Sequence, residues 1–168
     1  MNNYFVSKFY VLFLLWAATH MITACDVISH NDHDDHTEPW GMVLLVGGSE
    51  IAKQEDGNVT YAEGDYLEFY ADQESDLVTV RFLDEDGDRF EPEDEEYSLG
   101  WEIGNEDVLE IDQHEEDGKW NFHFVGVGSG ETYVRFVLFH GDHSDFTSMD
   151  FEIQIEDSVQ DMKVEIKE

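Results

Sequence analysis

The sequence predicts an all-β sandwich of seven to nine short antiparallel strands. Three observations lead there. Beyond residue 40 no stretch of helical periodicity lasts three turns, the apolar residues come in short runs or strict alternation, and Gly, Asp and Asn clusters separate those runs. The expected strands, in order, begin with Met42 to Val46, an apolar run, and a partner from Ile51 to Gln54. Tyr66 to Tyr70 and Leu77 to Leu83 follow, then Tyr97 to Ile103, where Tyr97, Leu99, Trp101 and Ile103 share one face and Trp101 is expected between the sheets. Next come Val108 to Ile111, Trp120 to Val125, and Tyr133 to Phe139 with Val134, Phe136 and Leu138 on one face. The last strand runs from Phe146 to Ile155, with Met149, Phe151, Ile153 and Ile155 facing together. With hydrophobic residues at 41% and aromatics at 14%, the chain can build a packed core despite its charge.

The amino terminus has a different character. Lys8 precedes an apolar run from Phe9 to Ala18, too short for the ~20 residues that span a bilayer and suited to the apolar region of a signal peptide. Ile22-Thr23-Ala24-Cys25 then resembles the lipobox of bacterial lipoproteins. That resemblance implies a signal peptide over residues 1–24, cleavage before Cys25, and lipidation of Cys25. The single cysteine of the chain would thereby anchor the protein to a bacterial membrane, outer or inner, on its extracytoplasmic side. Residues 25–39 form a His/Asp-rich tether with almost no apolar residue, the sandwich occupies 40–158, and 159–168 is a charged carboxy-terminal tail.

Within the sandwich, Trp101, the segment Asn105 to Ile111, and the glycine turn Val125-Gly126-Val127-Gly128-Ser129-Gly130 leading into Tyr133-Val134 resemble the bacterial immunoglobulin-like domains. The resemblance covers about Gly41 to Asp157 and implies an immunoglobulin-like β-sandwich; it says little of function, since that architecture hosts many roles. The acidic insert between Leu83 and Tyr97 departs from the family's short loop.

Function must then be sought in side chains. Forty-one acidic residues against eight basic ones give a net charge of −33, which repels phosphate backbones and excludes nucleic acid as a partner. The same bias suits a protein working in high salt, where self-repulsion is screened. No nucleophile elbow, phosphate-cradling glycine loop or His-Glu-x-x-His helix is present, and the chain is not expected to be an enzyme.

The histidines are grouped. His30, His33 and His36 are spaced by three among aspartates in the tether, and His140 and His143 flank Gly141-Asp142 in the expected hairpin between the last two strands. Neutral imidazole with carboxylate is the ligand chemistry of zinc and related divalent transition metals. An immunoglobulin-like topology would bring the hairpin, the tether and the acidic insert to one pole. The expected metal ligands are therefore His30, His33, His36, His140 and His143, with Asp142, Asp145 and His123 as possible additions. His114, in a polar turn, reads as an exposed residue. Asp84-Glu85-Asp86-Gly87-Asp88 lacks the full calcium-loop pattern and reads as a turn, so calcium is the lesser candidate. The function expected is a lipid-anchored cell-envelope protein that captures, buffers or delivers zinc, with an envelope metal-uptake receptor as the partner that role would imply. The alternative is an adhesion or scaffold module whose histidine tether is only a spacer.

Overall fold

A computed structural model describes residues 37–158 of the chain; Cys25, the lipobox, the tether histidines His30, His33 and His36, and the carboxy-terminal tail lie outside the described residues. The described chain is all-β. Its strands are β1 (Gly41–Val46), β2 (Ser49–Glu55), β3 (Asn58–Tyr61), β4 (Leu67–Tyr70), β5 (Val78–Leu83), β6 (Arg89–Phe90), β7 (Tyr97–Ile103), β8 (Leu109–Asp112), β9 (Asn121–Gly126), β10 (Gly130–His140), β11 (His143–Thr147) and β12 (Phe151–Glu156). One 3-10 turn, Glu115–Asp117, sits between β8 and β9.

Two sheets result. The first has the order β3-β2-β1-β5-β9-β8, with β6 on the end of β5; in the second, β10 is flanked by β7 on one edge and by β11 and β12 on the other, and β4 runs parallel to β12. Across the two sheets, β8-β9-β5 packs against β7-β10-β12 as the two layers of a β-sandwich. The hairpins β1-β2-β3 widen the first sheet beyond that frame.

The core follows from the period of two. Phe122 of β9 meets Phe136 of β10 across the sheets (ring centroids 5.3 Å apart), with Phe124 beside Phe122 on β9 (4.9 Å) and Phe151 of β12 beside Phe136 (5.9 Å). All four are fully buried. Strand β1 is buried on both faces. Met42 and Leu44 join the main core, whereas Val43 and Leu45 form a smaller cluster with Leu83, which explains why β1 reads as a continuous apolar run rather than an alternation.

Several expectations need correction. The described strands number twelve rather than seven to nine, because β3 and β6 were not expected and the last strand is broken in two. The break falls at Ser148, whose backbone N–H donates to the Phe136 carbonyl (2.8 Å) while its Oγ accepts from the Phe136 N–H (2.8 Å). Met149, expected inside, is exposed; its N–H donates to the Oε1 of the buried Gln54 (2.6 Å). Trp101 faces the core but is only half-buried, 6.4 Å from Phe122, and among the described residues the buried tryptophan is Trp120. The acidic insert is not an open loop: β6 folds back on β5, pairing Phe90 with Phe82.

The strand registers gather several chain ends at one pole. Gly41 pairs with Leu83, the last residue of β5, and the Trp40 N–H donates to the Leu83 carbonyl (2.7 Å). Tyr97, first in β7, pairs with His140, last in β10. The Lys119 ammonium, from the β8–β9 connection, donates to the carbonyls of Asp94 (2.7 Å) and Tyr97 (3.1 Å).

Candidate metal centre

The β10–β11 turn is as short as a hairpin allows. Gly141 takes a φ of +56°, a conformation open to glycine at little cost, and His140 pairs directly with His143. Directly paired residues project from the same face, so the two rings are neighbours, with centroids 5.5 Å apart.

A bulge supplies the third group. Phe139 pairs with Ser144 but Leu138 pairs with Phe146, which leaves Asp145 as the extra residue of β11. This shift lets Phe146 oppose Leu138 and pack edge-on against Phe82 (5.9 Å), while Asp145 stays beside the histidines. Asp145 Oδ2 lies 3.6 Å from His140 Nδ1, and Oδ1 lies 3.1 Å from His143 Nε2. One ligand atom from each of His140, His143 and Asp145 falls within 4.8 Å of the others.

His140 is held in place. Its ring stacks on buried Tyr97 at 4.4 Å and 18°, and its Nε2 lies 3.7 Å from Glu96 Oε2, on the side away from Asp145. The Glu96 carbonyl accepts the Gly141 N–H (3.1 Å), which ties the turn to the end of the acidic insert. A carboxylate behind the outer nitrogen of a ligating imidazole is the arrangement that orients the ring and raises its basicity toward a metal. His143 is 70% exposed at its side chain, so the site opens on one side to water or a further ligand.

The structure thus brings together His140, His143 and Asp145 from the expected set and adds Glu96, which sequence reasoning missed. Asp142, at the turn, does not belong to the group. In the acidic insert, the Asp84 carboxylate accepts the N–H groups of Asp86 (3.0 Å) and Asp88 (2.9 Å), which closes a turn.

His123 belongs elsewhere. It sits on β9 opposite Asp112 of β8, facing away from Phe122 and Phe124 as expected, and it forms a second group with His114 and Glu74. His114, expected merely to be exposed, has its ring centroid 5.7 Å from that of His123. The available signal was the hairpin register, which brings residues on either side of the β8–β9 connection together. No protein-family model matches the chain, and no curated protein matches it in sequence.

Proposed function

We propose that this protein binds a divalent transition metal, zinc first, through His140, His143 and Asp145, and that it does so as a lipid-anchored component of a bacterial cell envelope. One observation carries the metal reading: a single carboxylate lies between ring nitrogens of two cross-strand histidines, at 3.6 and 3.1 Å, with the inner ring packed on Tyr97. Two imidazoles and one carboxylate with an open side make a capture or transfer site, since a fourth position stays available to water or to a ligand from a receptor. The tether histidines His30, His33 and His36 carry the same ligand chemistry. The segment resembling a lipobox supports the anchor.

Zinc calorimetry of the full-length chain in mild detergent, with excess magnesium to suppress carboxylate-only association, tests the site. His140→Ala with His143→Ala should weaken binding at the hairpin well over tenfold, and Asp145→Asn should weaken it too. Affinity should fall in acid, because protons compete with the metal for the same ring nitrogens. Unchanged binding in the double variant, with loss when His30, His33 and His36 are replaced instead, would make the tether the chelator and the sandwich its carrier. For the anchor, Cys25→Ser should release the protein from membranes or leave an unprocessed precursor; a processed variant that still sediments with membranes overturns the lipoprotein reading.

A further inference from the structure

The β8–β9 connection carries a second histidine group whose chemistry differs from that of the hairpin. His123 Nδ1 lies 2.8 Å from the Ser75 carbonyl oxygen and 3.2 Å from Glu74 Oε1. A carbonyl oxygen only accepts, so Nδ1 must carry the proton in the neutral ring, and Nε2 is left with its lone pair. That nitrogen faces Asp117, whose Oδ2 is 3.7 Å away. The half-exposed ring of His114 stands beside it, with a ring nitrogen within 4.8 Å of one of His123's.

A Glu74 carboxylate oxygen also lies within 4.8 Å of a ring nitrogen of each histidine. It lies on the protonated side of His123, however, and so acts as an orienting acceptor together with the Ser75 carbonyl. This is the outer-shell arrangement found behind ligating histidines. The His123 side chain is only 15% exposed, which leaves the ring little freedom to turn.

The connection itself is well tied. Gln113 Nε2 donates to the carbonyls of Lys119 (3.0 Å) and Asn121 (3.2 Å), the Asn121 amide donates to the Asp117 carbonyl, and the Asp117 N–H donates to the His114 carbonyl (3.1 Å). His114 and Asp117 therefore keep their places relative to β9 before any ion arrives, which lowers the ordering cost of binding.

We infer that His123 Nε2, His114 and Asp117 form a second divalent transition-metal site, independent of the hairpin site, with Glu74 and the Ser75 carbonyl fixing the His123 tautomer. The site takes a borderline ion such as zinc in preference to magnesium or calcium, because two of its three ligands are imidazoles.

The experiment uses the full-length chain with His30, His33 and His36 replaced by alanine, so that the tether does not contribute. Nitrogen-15 NMR of the imidazoles in the metal-free protein should show His123 as the Nδ1–H tautomer, and zinc should move its Nε2 resonance. Calorimetry should count two zinc ions in this background. One should remain after His140→Ala with His143→Ala, and the other after His114→Ala with Asp117→Asn. His123 is left unsubstituted because it holds the Ser75 carbonyl, and a melting temperature within a few degrees of the parent shows that each variant folds. The inference is overturned if metal-free His123 is the Nε2–H tautomer, or if zinc leaves its Nε2 resonance unmoved when the hairpin histidines are absent. A single ion that survives the hairpin substitutions but is lost with His114 and Asp117 would remove the hairpin site and keep this one.

Discussion

At the scale of residues, two tryptophans exchange the roles that alternation alone assigns them. Trp101 lies on the inward face of β7, yet it is half-buried, with its nearest aromatic neighbour, Phe122, at 6.4 Å. Trp120, just before β9, is 3% exposed and packs edge-on against Phe82 at 5.6 Å. The cost of truncation follows the atoms withdrawn from water and the cavity left behind. Trp120→Ala should therefore destabilise by ~3 to 5 kcal/mol and Trp101→Ala by clearly less. Denaturant titration of both variants decides this, and an equal or larger loss at Trp101 would contradict the packing described. The indole Nε1 of Trp120 is buried without a hydrogen-bond partner, so part of the gain from enclosing the ring is already offset.

At the scale of elements, the added hairpin β2-β3 is tied to the second sheet by a side chain. The Tyr61 hydroxyl, at the end of β3, accepts the N–H of Glu152 on β12 (2.8 Å). Burial pushes the Tyr61 phenol above its ordinary value; the Glu152 N–H pulls it down, and the Glu152 and Asp65 carboxylates add to the rise. A raised phenol means that the folded chain holds this proton more tightly than the unfolded chain does. Its contribution is complete below about pH 10, where the unfolded phenol titrates, and is lost as pH climbs through the higher folded value. Tyr61→Phe should cost about 0.5 to 1 kcal/mol at neutral pH through the lost acceptor. It should also flatten the decline in melting temperature above about pH 10. Parallel melting curves in the alkaline range for parent and variant would refute the tie.

At the scale of the whole molecule, charge dominates. Forty-one carboxylates against eight basic side chains leave strong self-repulsion in the compact state. The ion pairs described, such as Arg89 with Glu50 and Arg81 with Glu91, are largely exposed and contribute little each. Raising salt from 0.01 to 1 M shortens the Debye length from about 30 to about 3 Å, which screens the repulsion more than it loses in pairs. The melting temperature should rise by about 5 °C or more over that range, roughly what one to two kcal/mol does in a domain of this size. A flat or falling curve would show that net charge is not what limits stability. Lys119, donating to the carbonyls of Asp94 in the acidic insert and of Tyr97, is where a single cation holds the β8–β9 connection against the start of β7.

Strand character, the inward sets on β9 and β10, and the excess of acid were all written locally. A period of two and a count of charges need no knowledge of which strand meets which. The adjacency of His140 and His143 was equally legible, because a two-residue turn pairs its flanking residues whatever surrounds it. What the tertiary structure decided was everything that depends on register. The bulge that keeps Asp145 beside the histidines exists because Phe146 reaches Phe82 in the core. Glu96 and Tyr97 meet His140 only because β7 pairs with β10 from its first residue. His114 and His123 converge because Asp112 pairs with His123 across an intervening 3-10 turn. The break at Ser148 that exposes Met149 is likewise set by hydrogen bonds to Phe136 and Gln54, far away in sequence. Alternation states which side of a strand is apolar, whereas the partner, and the offset at which it pairs, are selected by how the whole core closes around its largest side chains.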